Sequence, residues 1–197
     1  LARLAELRLP GARIAGSVGA ASFNIHTPER AAGRMVADHL IGHGHQRIGI
    51  ITPPPSHRAA LRRVEGFRDG LSAAGLPVDD ALFVPGGFDF TSGIAAGEAL
   101  LALPQPPTAI FATNDDMALG VLTLAHRMGL NVPDDLSVVG FDDTPASLTS
   151  WPPLTTVRQP LEEMGRSVID ALANGPLDEP EFLFTLVERG SCGPRPG

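Results

Sequence analysis

Along this chain, short runs of unbroken apolar residues alternate with longer stretches in which apolar positions recur every three or four residues. Runs such as "RIGII" (47–51), "TAIFAT" (108–113) and "LSVVGF" (136–141) lack the in-out alternation of a half-exposed strand. They predict strands buried on both faces. Between them, Ala32, Met35, Val36, His39 and Leu40 form one helical stripe, and Ala60, Val64, Phe67 and Leu71 form another. Thr27 followed by Pro28 predicts an N-cap and first helical residue, and Gly42 with Gly44 predicts the stop. The same reading gives a helix over 57–74 closed by Gly75 and Pro77, a strand at 82–84, and a helix capped by Ser92 and running to Leu103. A helix over 115–128 follows the strand at 108–113. Beyond 136–141 the rhythm loosens: an irregular stretch reaches Pro153, "LTTVRQP" is extended, 161–173 is helical, and a last strand runs near 182–189. At the front, 1–9 reads as the end of a helix and 12–18 as a strand.

Buried strands alternating with helices predict an α/β fold with a doubly wound parallel sheet, helices on both faces. Composition agrees with a turn-rich globular chain: 43% hydrophobic, with 22 Gly and 19 Pro in 197 residues. No apolar run is long enough to span a bilayer, and no charged-then-apolar leader opens the chain. The single cysteine, Cys192, excludes an internal disulfide and fits a reducing cytoplasm. The formal charge of −7 argues against this segment gripping a phosphate backbone by itself. All 15 basic residues are Arg, from which no functional conclusion follows.

In open α/β sheets, ligands bind beyond the carboxyl ends of the strands. Three such ends carry polar residues here: Asn114-Asp115-Asp116 after 108–113, Asp142-Asp143 after 136–141, and the "GGFDF" loop (86–90). A carboxylate there can cap a helix or accept charge-assisted hydrogen bonds from a ligand. Adjacent acids point in different directions, so no doublet makes a general acid/base pair by itself. Arg58 and Arg62 read as solvated, whereas Arg63 lies beside the buried Val64 and Phe67 and is the better clamp. Phe88 and Phe90 either plug the core or stack on a flat ligand. His39 and His43 are four apart, a spacing that helical zinc sites use. With Gly42 and Gly44 ending the helix and no Cys nearby in sequence, packed histidines and no metal are expected. No dinucleotide loop, phosphate loop or "GxSxG" elbow is present, and Cys192 reads as a spectator.

Several longer strings carry a resemblance: "HLIGHGHQRIGII" (39–51), "RRVEGFRDGLSAAGL" (62–76), "TAIFATNDDMALGVLTLAHRMGLNVPDDLSVVGFDDTPAS" (108–147), "PPLTTVRQPLEEMGRSVIDAL" (152–172) and "LVERGSC" (186–192). Together they resemble the effector-sensing domain of the lactose/galactose-repressor family of bacterial transcription regulators. The resemblance implies a periplasmic-binding-protein-like fold of two lobes (type I). Residues 28–131 and 162–190 would form one lobe. Residues 1–27 and 132–161 would supply part of the other, with 191–197 as a tail. It also implies that the family's helix-turn-helix and the opening half of lobe one lie outside this chain. By motif it carries over four ligand contacts: Arg63, Phe88, Asp115 and Asp142. Where the family often has an acid-amide pair, this chain has Pro28 and Glu29.

The function expected is binding without chemistry. A small polar effector, most simply a sugar, stacks on Phe88 and hydrogen-bonds Arg63, Asp115 and Asp142 in an inter-lobe cleft. It acts through its different affinity for two lobe arrangements, with no cofactor. In the intact protein a homodimer passes that shift to operator DNA. The rival is an exported sugar-binding protein serving a transporter, against which "LTTVRQP…MG" stands; an enzyme of this fold class is a third reading. Asp115→Ala is expected to remove ligand binding while sparing the fold.

Overall fold

The fold is seen in a computed structural model, which describes residues 11–14, 23–175 and 181–195. The helix end expected over 1–9 lies outside the described residues, as does 15–18 of the first strand. In chain order the elements are β1 (Ala12–Ile14), β2 (Phe23–Ile25), α1 (Glu29–Gly42), β3 (Ile48–Thr52), α2 (Arg58–Ala73), β4 (Phe83–Pro85), α3 (Phe90–Leu101), β5 (Ala109–Ala112) and α4 (Asp115–Arg127). Then come β6 (Ser137–Val139), α5 (Pro145–Thr149), β7 (Thr156–Arg158), α6 (Leu161–Asn174) and β8 (Thr185–Val187). Strand β2 and the single-turn-scale helix α5 are additions to the sequence-based expectation.

The main sheet is parallel throughout, in spatial order β4-β3-β5-β6, with Ile50 paired to Phe83 on one side and to Phe111 on the other. Its strands are apolar without alternation because both faces are covered. Phe111 points to Phe67 of α2, ring centroids 5.4 Å apart. Its neighbours Ile110 and Ala112 instead join Ala96 and Leu100 of α3 and Met117 and Val121 of α4. Period-two geometry thus hands alternate residues to the two helix layers. Each fully buried Ile or Phe contributes about 1.5–3 kcal/mol through burial.

Helices α1 and α2 pack together on the Phe67 face. A Cβ on Gly33 would collide with the Arg63 carbonyl, and one on Gly66 with the Arg30 carbonyl. The two backbones therefore touch, and only glycine permits it. Capping follows local chemistry. Asp89 rather than Ser92 is the N-cap of α3, with Ser92 returning the bond as the partner of a capping box.

By internal contacts the chain falls into two units, Leu1–Pro28 with Gln159–Phe184, and Glu29–Arg158 with Thr185–Gly197. The described part of the first comprises the parallel pair β1-β2 and α6. This division differs from the expected one, which put 132–161 with 1–27 and 162–190 with 28–131. The reason is hydrogen bonding. Strand β6 is laddered to β5, residues 155–158 run alongside 139–142 through the Val139–Thr155 and Asp142–Arg158 bridges, and β8 pairs antiparallel with β7.

Candidate functional site

The four parallel strands of the larger unit deliver their carboxyl ends to one edge. In the order β4-β3-β5-β6 the chain leaves β3 toward β4 and then crosses back to β5, so the switch point lies between β3 and β5. The loops at 53–57, 86–89, 113–114 and 140–144 all emerge there.

Arg63 sits in the second turn of α2, facing α1 across the glycine contact, and is only 5% exposed. Gly33 lies over its carbonyl, and one turn earlier on α1 stands Glu29. The guanidinium donates Nε (3.0 Å) and Nη2 (2.7 Å) to Glu29 Oε2, and Nη1 to the Thr113 carbonyl. Its carbon lies 3.1 Å from the centroid of the Phe141 ring. Burial pulls the Arg63 pKa below its ordinary value; Glu29 foremost, then Asp142 and Asp115, works to hold the charge. Three of five N–H donors are thus committed within the protein.

Asp115 opens α4 and is fully buried. Its Oδ2 accepts the Thr144 amide (2.7 Å) and hydroxyl (3.0 Å), and its Oδ1 accepts the Thr156 hydroxyl (2.6 Å). Burial raises its pKa, and those hydrogen bonds oppose the rise. Asp115 therefore ties α4, the 140–144 loop and β7 together. Against the expectation that Asp115→Ala would spare the fold, three donors would lose their acceptor in that variant. The capping reading belongs to its neighbour: Asn114 accepts the Met117 amide (3.0 Å) and donates Nδ2 to the Phe88 carbonyl (3.2 Å).

Phe88, at φ 64°, is half-buried, and its ring meets that of His57 edge to face with centroids 4.7 Å apart. Asp142 (φ 117°) donates its amide to the Val157 carbonyl at 2.9 Å. Asp143 (φ 55°) is held by Arg158 and Arg189, each at 2.5 Å, and so serves the framework. Among the described residues these three are the non-glycine positions with left-handed backbone, a conformation that costs about 1–3 kcal/mol and clusters at functional sites.

Arg63, Asp115 and Asp142 are thus gathered within electrostatic reach, and Phe88 joins them through Asn114. Arg58 and Arg62 are exposed, and Phe90 is the first residue of α3. Sequence reasoning missed Glu29, set aside because Pro28-Glu29 departs from the family pair, and His57, which an exposed loop gives no periodic signal to find.

The model of a family described as "Periplasmic binding protein-like domain" matches residues 37–192. The Ribose operon repressor of Escherichia coli K12 is 39% identical over 166 residues, 81% of this chain and 50% of the relative. The chain spans about half the length of the curated relatives it matches first. Among solved structures, a LacI family transcriptional regulator from Enterococcus faecium with bound ribose aligns with TM-score 0.86 and 26% identity, covering 97% of this chain and 73% of that one. The transcriptional regulator CelR–cellobiose complex aligns with TM-score 0.83 and 33% identity, covering 95% and 60%. The chain belongs to the periplasmic binding protein-like domain family, in the form carried by LacI-family transcription regulators.

Proposed function

We propose that this chain is the metabolite-sensing part of a DNA-binding transcriptional repressor and that the carboxyl edge of its four-stranded sheet receives a small polyhydroxylated ligand. The observation that carries this is the convergence there of a buried, paired guanidinium (Arg63–Glu29), the Asp115 and Asp142 carboxyls, and an aromatic ring held in left-handed backbone. Such a set suits a sugar: ring faces stack on Phe88, and hydroxyls both accept from Arg63 and donate to carboxylate oxygens. Relatives solved with ribose and with cellobiose support a sugar as the class. The ligand undergoes no reaction. Its effect is a difference in affinity between two conformations of the whole regulator. That regulator works in the cytoplasm as a homodimer on operator DNA, through residues beyond this chain.

A thermal-shift screen over pentoses, hexoses, disaccharides and nucleosides tests the reading. A true effector at about 100 times its Kd adds roughly 2.7 kcal/mol of stability. Phe88→Ala is expected to weaken that sugar about tenfold, the ~1.4 kcal/mol scale of an aromatic contact. A sugar that binds Phe88→Ala and wild type equally well would refute this assignment of the site.

A further inference from the structure

At the far end of α1 a second cluster carries chemistry that the ligand edge does not use. His39 lies in the last turn, and His43 follows Gly42 with its amide still donating to the His39 carbonyl at 3.2 Å, so the two rings share one helix face. They meet edge to face, centroids 4.7 Å apart. Cys192, from the segment after β8, comes up against them. One ligand atom each from His39, His43 and Cys192 lies within 4.8 Å of the other two. All three side chains are half-buried, which leaves solvent a path in. The Nε2 atom of His39 is buried without a hydrogen-bond partner. Leaving a polar atom of this kind buried without a partner is unfavourable, so it calls for an occupant.

We infer that His39, His43 and Cys192 form a metal site for a zinc-class divalent cation, with water completing the tetrahedron. Two imidazoles and a thiolate are the donor set zinc selects and magnesium or calcium does not, and histidines four apart on a helix are a known pairing for it. Zinc bonds of about 2.0–2.3 Å bring the donor atoms to roughly 3.3–3.7 Å from one another. Side-chain rotation of about 1 Å therefore closes the site. Glu188 adds negative charge felt by both His39 and Cys192. Burial holds the Cys192 thiol protonated, its pKa pushed up to about 11. Metal entry therefore breaks the S–H bond, releases the proton to solvent and forms the S–metal bond with no change of oxidation state. Neighbouring His45 takes no part, since its nitrogens are committed to Thr108, Ser137 and the Gly193 carbonyl. The site is separate from the ligand edge. The ten-residue advance along α1 from Glu29 to His39 puts about 15 Å between them. A bound ion would pin the end of α1 to the segment after β8.

The test uses the tag-free chain, stripped with chelator and titrated with Zn2+ by calorimetry and with Co2+ by absorbance. The expected result is one ion per chain, a thiolate-to-cobalt charge-transfer band with tetrahedral visible bands, and a melting temperature that rises with Zn2+. Cys192→Ser is expected to abolish the charge-transfer band, and it and His43→Gln each to weaken binding by about 100-fold or more, the exposed His126→Gln serving as an unchanged control. Metal-free melting temperatures of all three, matching wild type, establish that they fold. Absence of stoichiometric Co2+ binding, a spectrum without the thiolate band, or Cys192→Ser binding Zn2+ as tightly as wild type would overturn the site.

Discussion

Replacing Glu29 by Gln gives the most informative single perturbation of the site's framework. The Glu29–Arg63 pair is enclosed, with side-chain exposures of 4% and 6%. Glutamine keeps the shape and removes the charge, leaving the guanidinium buried without its main counter-ion. Breaking a buried pair from one side costs about 3–5 kcal/mol. Arg63 retains the Thr113 carbonyl, the Phe141 face and the nearby Asp142 and Asp115, which places the loss at the lower end, about 3 kcal/mol. At roughly 2–4 °C per kcal/mol for a domain of this size, the melting temperature should fall by about 6–12 °C. Calorimetry and far-ultraviolet circular dichroism read this directly, and agreement between them checks that one transition is being followed. The double replacement Glu29→Met with Arg63→Met removes both charges together and is expected to recover most of the loss, since apolar replacement of a whole buried pair is often neutral. If Glu29→Gln melts within about 1 °C of wild type, or the double variant is no better than the single, then the pair does not hold α1 to α2 as argued.

Other perturbations probe neighbouring links. Gly66→Ala drives a methyl into the Arg30 carbonyl and should cost about 1–3 kcal/mol or more, while Gly42→Ala, whose Cβ meets nothing within 4 Å, should be near neutral in the same melts. Asp115→Asn should lose about 1–3 kcal/mol, because an amide cannot accept from Thr144 and Thr156 with both ends, and sugar affinity should fall with it. For Asp143, burial alone would raise the pKa, but Arg189 and Arg158 together pull it below the ordinary 3.8. Its stabilising contribution is therefore present above pH 3.8 and is lost as pH falls through the lowered value, so Asp143→Asn should flatten that acid limb in denaturant titrations. Asp115, with a raised pKa, contributes in the opposite sense and cannot mimic that limb.

Much of the larger unit was legible because burial on both faces leaves a mark in sequence. Ile48–Thr52 and Ala109–Ala112 are apolar without alternation, and the Ala60, Val64, Phe67 and Leu71 stripe is the buried side of α2. Arg63 was legible for the same reason: a charge flanked by core residues is either paired or functional. What stayed hidden depends on contacts distant in sequence. Glu29 needs the Gly33–Gly66 approach to reach Arg63, and Cys192 needs β8 to come back beside α1 before it meets His39 and His43. The hydrogen bonding that keeps β6 and β7 with β5 has no periodic signature, so the contact-based division into units was not legible in the sequence. Helix α5 was missed because five residues are too few to show a stripe.

The central claim is that the sheet's carboxyl edge receives the metabolite. Amide chemical-shift mapping of the isotopically labelled chain, titrated with the sugar that raises its melting temperature, addresses that claim most directly. Saturable shifts centred on Gly87–Phe88, Thr113–Asp115 and Asp142–Thr144 are the predicted outcome. Shifts centred instead on the opposite edge, around the cavity lined by Ile48, Phe83 and Thr108, would contradict it.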